Sequence, residues 1–383
     1  MGNSCPVLKE RRAAGRWTVS SSGAARDCAA QATRVTGHSS SPIARRPMKT
    51  EVEYPEQGPN PVGGREMKRR SFLKISGGAC AAAILPGSAE ETAKPTNGIL
   101  RITPIDIKIG LPKPVRALHF SDTHLCYADE RENDRKRALA ASRVRYFSKG
   151  PANLDASLTY AKERGELVLH TGDLIDFVST KNLEAVKEKF SSTDCILSAG
   201  NHEFSQYVGE AKEDDAYKAQ SYARVQSYFP NDLTFYSRTV GGVNFVALDD
   251  VYHELTAKEL ELFKGEVAKG LPIILLCHCP LYTPETFDAE LKHHQEQLRR
   301  RPKKDIFMYQ VGVPPERTIG MVRARRPEEP TLALIDYLKK QPLLKAILCG
   351  HLHLRVSGRF SETATEYVAG PSYNGEAQEI TIT

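Results

Sequence analysis

Five short apolar runs in the sequence each end in polar side chains that can bind a metal ion or transfer a proton. In chain order, the residues that follow these runs are Asp122 and His124, Asp173, Asn201 and His202, His278, and finally His351 and His353. In open α/β sheets, ligands bind outside the carboxyl ends of the strands. We therefore expect these side chains to meet in one crevice, although they lie far apart in the chain.

The first donors of the set include two carboxylates. Asp122 and His124 are two positions apart, and alternate residues of an extended segment point to the same side. One ion is therefore expected to be within reach of both side chains. Asp173, which follows Gly172, has two carboxylate oxygens and can bridge two ions.

The remaining donors are neutral. Asn201 offers a carbonyl oxygen and His278 a ring nitrogen, and His351 and His353 again alternate. The preceding Gly350 leaves the backbone free to bend these two histidines toward different ions. A mixed set of oxygen and nitrogen donors suits Mn, Fe or Zn and disfavours a structural zinc site built on thiolates. Two divalent ions about 3.5–4 Å apart can hold both the attacking and the leaving oxygen of a phosphoryl displacement.

The elements that position these residues follow from the apolar pattern. Short β-rich runs alternate with segments of helical period, which is typical of a layered α/β protein. Strands are predicted at 99–109, 115–120, 167–170, 195–198, 234–240, 243–248, 273–277 and 346–348. Helices are predicted at about 133–147, 153–164, 181–190, 217–228, 256–268 and 331–340. Residues 354–383 are expected to form further short strands.

Taken together, the motifs resemble the calcineurin-like metallophosphoesterase superfamily over roughly residues 113–375. The likeness rests on Asp-Thr-His at 122–124, Gly-Asp-Leu-Ile-Asp at 172–176, Gly-Asn-His-Glu at 200–203, the histidine at 278 and Gly-His-Leu-His at 350–353. It implies a four-layer α-β-β-α sandwich with the site at one edge of the central sheets. It also implies two ion sites, formed by Asp122, His124, Asp173 and His353 and by Asp173, Asn201, His278 and His351.

The resemblance assigns a catalytic role to His202. This residue matches the histidine that stabilises the phosphoryl oxygens or protonates the leaving group in that family. Glu203, the next residue, is a candidate to orient His202. A carboxylate beside the imidazole would also raise the pKa of that ring. Asp176 can orient a metal ligand or cap a helix, and the sequence leaves this choice open.

A basic insert at about 285–330 is longer than the family's core requires. Residues 292–326 carry ten Lys and Arg residues against three acidic ones. One interpretation is a lid in which basic side chains such as Arg299, Arg300 and Arg301, with Tyr309, grip an anionic substrate. The alternative is a solvated basic helix followed by a Pro-rich loop, with His293 and His294 at the surface.

The expected activity is hydrolysis of a small phosphorylated substrate by a water that two divalent ions activate. Residues 366–373 are similar to the C-terminal strands of bacterial members near the cyclic-nucleotide phosphodiesterases, which favours a phosphodiester. A phosphomonoesterase is the main alternative. A relative that binds metal or ligand without turnover is a further alternative, which the complete donor set and His202 disfavour.

The charge and cysteine content of the sequence argue against some classes of partner and site. Residues 1–89 contain 14 basic and 6 acidic residues, which leaves 39 basic and 41 acidic residues in 90–383. Because the folded part has no excess of positive charge, nucleic-acid binding is not favoured. Five of the eight cysteines lie beyond residue 89 without a CxxC pair, and they are expected to be small buried side chains.

The N-terminal region has the organisation of an export signal. Lys-Arg-Arg-Ser-Phe-Leu-Lys at 68–74 precedes an apolar stretch and a small-residue end at Ala89. Residues 67–89 resemble a twin-arginine signal peptide and are too short in their apolar part to span a bilayer. This implies contact with the twin-arginine translocation machinery and a periplasmic or extracellular location in a bacterium.

The flanking regions complete the predicted organisation. Residues 1–66 show no sustained apolar period and are expected to be a non-native or disordered extension. Residues 90–383 are expected to form the phosphoesterase domain, without a transmembrane helix. Lipid anchoring at Cys80 is not favoured, because Gly77 and Gly78 fit a lipidation signal poorly.

Export is expected to depend on Arg69 and Arg70. An Arg69→Lys/Arg70→Lys variant should accumulate in the cytoplasm, because the twin-arginine route reads both guanidinium groups. The unmodified chain and a form that starts at Met67 should both reach the periplasm. Cell fractionation followed by immunoblotting measures the distribution, and normal periplasmic accumulation of the double variant would contradict the assigned route.

Overall fold

The computed structural model describes residues 100–210, 214–298 and 305–383. The interpretations of the extension at 1–66, of the signal peptide at 67–89, of Cys80 and of Arg299–Arg301 concern positions outside these ranges. In the described ranges, no helix is both long enough and apolar enough to cross a membrane.

Strands and helices alternate along much of the chain, as the sequence predicts. The strands are β1 (Arg101–Ile107), β2 (Val115–Phe120), β3 (Leu167–Thr171), β4 (Cys195–Ser198), β5 (Phe235–Val240), β6 (Val243–Leu248), β7 (Ile273–Leu276), β8 (Ile306–Met308), β9 (Val322–Ala324), β10 (Leu344–Cys349), β11 (Val356–Arg359), β12 (Thr365–Val368) and β13 (Glu376–Ile382). The helices are α1 (Asp134–Phe147), α2 (Gly150–Arg164), α3 (Thr180–Phe190), α4 (Asp215–Gln226), α5 (Ala257–Val267), α6 (Pro284–Leu298) and α7 (Glu329–Lys339).

Two sheets contain most of these strands. The order is β1-β13-β2-β3-β4 in the first sheet and β11-β12-β10-β7-β6-β5 in the second. Strands β2, β3 and β4 run parallel to one another, and so do β6, β7, β10 and β12. The carboxyl ends of the parallel strands in each sheet therefore lie at one edge.

The sheets pack face to face because their central strands carry apolar side chains on both faces. Along β3, Leu167 and Leu169 fill the space between the sheets, whereas Val168 packs toward the outer helices. Along β7, Ile274 lies in the same inter-sheet core and Ile273 on the opposite face. Each sheet is therefore covered on one face by the other sheet and on the opposite face by helices.

Helices cover both outer faces. Leu154 of α2 and Leu183 of α3 pack on the first sheet, and Phe263 of α5 and Leu334 of α7 pack on the second. The order helix, sheet, sheet, helix confirms the four-layer α-β-β-α sandwich.

Between β7 and α7 the chain builds a substructure from α6, β8 and β9. Its described residues are 284–298 and 305–324, and it is called the insert below. Strands β8 and β9 pair in parallel, and the insert encloses a small core of Phe287, Ile306, Met308 and Val313. The predicted Pro-rich loop is therefore wrong where β8 and β9 form. Each of these strands has only three residues, which is too few for an alternating apolar pattern to be recognised in the sequence.

Arginines of the insert and of the segment after β9 form ion pairs. The pairs are Arg317 with Asp288, Arg323 with Asp305, and Arg325 with Glu254. All three are partly exposed, so each contributes little to stability. These three cations are paired with acidic neighbours in the fold.

Candidate metal centre

The carboxyl ends of β2, β3 and β4 meet those of β7 and β10 at one edge of the two sheets. A first cluster there consists of Asp122, His124, Asp173 and His353, whose donor atoms lie within 4.8 Å of one another. His353 Nε2 is 3.2 Å from Asp122 Oδ1 and 3.1 Å from His124 Nε2. His124 Nε2 lies 3.7 Å from Asp173 Oδ2.

A second cluster shares Asp173 and adds His278 and His351, again with donor atoms within 4.8 Å of one another. His278 Nε2 lies 3.4 Å from Asp173 Oδ2 and 3.0 Å from His351 Nδ1. Asn201 begins a 3-10 turn after β4, directly after Gly200, which packs against Asp173 and His278. The structure thus brings six of the seven predicted donors together, with Asn201 next to them in the chain after Gly200, and places His351 and His353 in different clusters.

Five of the donors have a left-handed backbone conformation. Asp122, His124, Asp173, His351 and His353 have φ angles between 49° and 67°. Non-glycine residues rarely adopt this region, at a cost of about 1–3 kcal/mol each. The expected extended path from Asp122 to His124 is therefore wrong. The two side chains converge because the chain turns sharply at each residue.

Gly350 has a different task from the one expected. A side chain at this position would overlap the side chains of Ser121 and Asp122, so the glycine allows the loop after β10 to approach the loop after β2. The change of direction that separates the two histidines lies at His351 and His353 themselves, with φ angles of 67° and 49°.

Asp176 fixes the orientation of His124. His124 Nδ1 donates to Asp176 Oδ1 at 2.9 Å, and Arg143 of α1 binds the same carboxylate through Nε at 2.6 Å and Nη2 at 2.8 Å. Burial raises the pKa of Asp176, but these hydrogen bonds outweigh it and hold the pKa below its ordinary value. Ser179 caps α3 by accepting from the Asn182 backbone, so Asp176 orients a donor and is not the helix cap.

Glu203 clamps two loops together, which corrects the expectation that it orients His202. Its carboxylate accepts backbone N–H groups of Asp173 at 2.8 Å, Leu174 at 2.8 Å, Ile175 at 3.2 Å and Gly200 at 2.6 Å. These groups belong to the loops that follow β3 and β4. The clamp therefore fixes Asp173 relative to the turn that carries Asn201 and His202.

His202 is oriented by a backbone carbonyl. Its Nδ1 lies 2.7 Å from the carbonyl oxygen of Asp176, and because a carbonyl only accepts, Nδ1 carries the proton. The opposite nitrogen, Nε2, lies 4.0 Å from Asp173 Oδ2 and 5% of the residue is exposed. Nε2 therefore lies on the side of the carboxylate that the two clusters share.

The buried carboxylates create a strongly negative site. Burial raises the pKa of Asp122, but the charges of His353 and His278 outweigh it and bring the pKa below its ordinary value. Burial lowers the pKa of His278, but Asp173 and Asp122 outweigh it and raise the pKa to about 10. The field beside these carboxylates thus favours positive charge.

Two other histidines are held neutral. Burial lowers the pKa of His124 and of His351, and the neutral imidazole is the form that binds metal. Oxygen and nitrogen donors, a negative field and neutral rings together fit two divalent cations that share Asp173.

Sequence reasoning does not identify three residues that support the donors, namely Arg143, Tyr373 and Asp250. Tyr373 Oη lies 3.3 Å from His353 Nδ1. Asp250 accepts the backbone N–H groups of His278 and Cys279, both at 2.9 Å. The acidic pair directly after β6 was a strand-end signal that could have revealed Asp250, whereas Arg143 lies in a helix with several other basic residues and Tyr373 in a short loop.

The layered fold and the two clusters with a shared carboxylate define a phosphoesterase with candidate metal sites. Residues 115–355 match the family model of the calcineurin-like phosphoesterases, and the chain belongs to that family. No curated protein matches the chain.

The solved structures that match this chain are distant in sequence. A dimetal phosphatase from Danio rerio is 13% identical with a TM-score of 0.41, and the alignment covers 68% of this chain and 88% of that one. A 5'-nucleotidase from Candida albicans is 14% identical with a TM-score of 0.34, over 68% of this chain and 45% of that one. A phosphopantetheinyl hydrolase from Mycobacterium tuberculosis is 12% identical with a TM-score of 0.31, over 70% and 91%.

Removing the carboxylate of Asp176 is expected to weaken one ion site only. Asp176→Ala should lower metal affinity at the first cluster by about 10–100-fold, because His124 loses the acceptor that fixes its ring. Titration with Mn²⁺ followed by calorimetry separates the two affinities. Asp155→Ala is the matched control, since it removes an exposed ion pair with Lys189. Two unchanged affinities in Asp176→Ala would rule out the positioning role.

Proposed function

We propose that this protein is a phosphodiesterase that depends on two divalent ions, Mn, Fe or Zn. The proposed ligands are Asp122, His124, Asp173, Asn201, His278, His351 and His353. The observation that carries the proposal is the pair of clusters joined through Asp173, with His202 beside them. Two divalent ions bound there would lower the pKa of a water molecule and neutralise charge on the phosphoryl oxygens.

In this proposal His202 protonates the leaving oxygen of the substrate. Its Nδ1 lies on the Asp176 carbonyl and its Nε2 on the side of Asp173. In the proposed step the ring is protonated on both nitrogens, and Nε2–H gives its proton to the leaving oxygen. The His202 ring stands at 86° to the His124 ring with centroids 4.8 Å apart. The leaving group is therefore proposed to lie on the side of the first cluster.

The insert supports a diester because its aromatic rings lie beside the second cluster, whereas His202 lies beside the first. The Tyr309 ring lies 5.4 Å from the His351 ring and 5.1 Å from the Phe307 ring. Buried Glu290 of α6 holds this segment by accepting the Tyr309 backbone N–H at 2.7 Å. A phosphodiester has two substituents, so one can leave beside His202 while the other contacts Tyr309. A phosphomonoester would use only the first of these contacts.

We further propose that the mature protein acts in the periplasm after export by the twin-arginine route. This rests on the sequence of residues 67–89. That route carries folded protein, which suits an enzyme whose ions are bound before translocation. A small phosphorylated molecule remains the proposed substrate, and the near balance of basic and acidic residues in 90–383 gives no support for a nucleic acid.

A substrate panel tests the specificity. With Mn²⁺, the purified protein should show a higher kcat/KM for a bis-aryl phosphate than for the corresponding aryl monophosphate, with cyclic nucleotides as natural candidates. Tyr309→Ala should raise KM for the diester more than for the monoester, because only the diester has a second substituent. Tyr146→Ala, which removes an exposed ring of α1, is the control. Faster monoester hydrolysis would identify a phosphomonoesterase instead.

His202 is expected to act on the substrate without binding metal. His202→Asn should keep both ions and lower kcat by about 10²–10⁴, the usual range for a positioned general acid. The loss should be smaller for an aryl ester, whose leaving group hardly needs protonation, than for an alkyl ester. Asn201→Ala is the contrasting variant and should weaken one ion site.

Two results would contradict these assignments. Loss of metal from His202→Asn, measured by elemental analysis, would show that His202 is a ligand. Equal losses on both esters would instead indicate that His202 stabilises the phosphoryl oxygens.

A further inference from the structure

A third histidine-containing group lies next to the second cluster. His253 follows β6, and only 5% of the residue is exposed. Its ring nitrogens form no hydrogen bond of normal geometry within the described residues, and backbone groups of Tyr252 and Tyr309 are their hydrogen-bonding neighbours. A buried imidazole with only such partners can still offer a ring nitrogen to a bound ion.

The backbone at His253 is strained in the same way as at the proposed donors. The described chain has seven non-glycine residues with positive φ, and five of them are proposed metal ligands. The other two are Tyr252 and His253, with φ angles of 69° and 64°. Such strain persists where the surroundings impose it, and it concentrates at functional sites.

Two further donors converge on His253. One donor atom each from His253, Cys279 and His351 lies within 4.8 Å of the other two, the same spacing that the two phosphoesterase clusters satisfy. His351 Nδ1 faces His278, whereas His351 Nε2 is buried without a hydrogen-bond partner in the described structure. His351 therefore has one nitrogen directed at the second cluster and one left for another contact.

We infer that His253, Cys279 and His351 Nε2 form a third metal site for zinc or a similar borderline-soft ion. Two imidazole nitrogens and a thiolate are the donors that zinc prefers, and water can fill the fourth position. His351 bridges the second and third ions through its two nitrogens. On binding, the Cys279 thiol and His351 Nε2–H each release one proton to solvent, so the bridging ring is an imidazolate.

The surroundings of this group are consistent with a bound ion. Cys279 is fully buried, and its backbone N–H is held by Asp250 at 2.9 Å. The rings of Phe307 and Tyr309 lie 6.4 Å and 6.3 Å from the His253 ring. These rings give the group a partly aromatic surround, a feature that sets solvent access and dielectric at a metal site. The site goes beyond the proposed phosphodiesterase activity, although it shares His351 with it.

Cobalt substitution tests the third site separately from the other two. None of the proposed ligands of the two phosphoesterase ions is a thiolate, so a thiolate-to-cobalt charge-transfer band in the near ultraviolet reports on the third site alone. The purified protein reconstituted with Co²⁺ should bind three ions per chain and show this band. Cys279→Ser should lose the band and one ion. The His253→Asn variant should bind two ions, because the third site loses one ligand. Asparagine is the replacement because it tolerates the left-handed backbone at this position.

The control is Cys277→Ser, which alters a neighbouring buried thiol and should keep the band and all three ions. Two ions without the band in the unmodified protein would overturn the third site and leave the phosphodiesterase proposal intact. A single ion with the band would support the third site and refute the binuclear centre. Loss of the band in Cys277→Ser, or no cobalt at all, would also refute the assignment.

Discussion

The site depends on keeping two carboxylates, those of Asp122 and Asp173, close together and away from water. A buried anion destabilises a fold unless hydrogen bonds and opposite charge compensate it. The backbone N–H of His351 binds Asp122, and that of His202 binds Asp173, both at 3.0 Å. Such contacts require loops from separate strands to approach very closely. The left-handed donors and the glycine at position 350 are consequences of this electrostatic requirement.

The donors come from both sheets, so the packing between the sheets determines the geometry of the site. Asp122 and Asp173 follow strands of the first sheet, whereas His278 and His351 follow strands of the second. A slip of one residue between the sheets would move these groups apart by about 3.3 Å. The apolar side chains between the sheets, although distant from any chemistry, therefore hold the donor atoms in register.

Much of this arrangement can be predicted from the sequence. The pattern of apolar residues indicates where the strands lie, and the polar residues that follow the strands indicate the candidate metal ligands. The ends of β2, β3, β4, β7 and β10 were all recognisable in this way. The backbone path through Asp122 and His124 was not, since positive φ at these residues is imposed by contacts with other loops. Likewise, the sequence does not reveal the role of Glu203. The partners of its carboxylate are four backbone N–H groups that are near in space, and not the residue beside it in the chain.

The position of the insert has a consequence for how this fold can diversify. The insert leaves the core after β7 and returns before β10, and these two strands pair directly with each other. The insert has an apolar core of its own and also packs on β11 through α6. Because the entropy of closing a loop rises slowly with length, evolution can lengthen, shorten or exchange this segment without altering strand pairing. Under the proposed function, the substrate contacts in the insert and the architecture of the donors can thus change independently over generations.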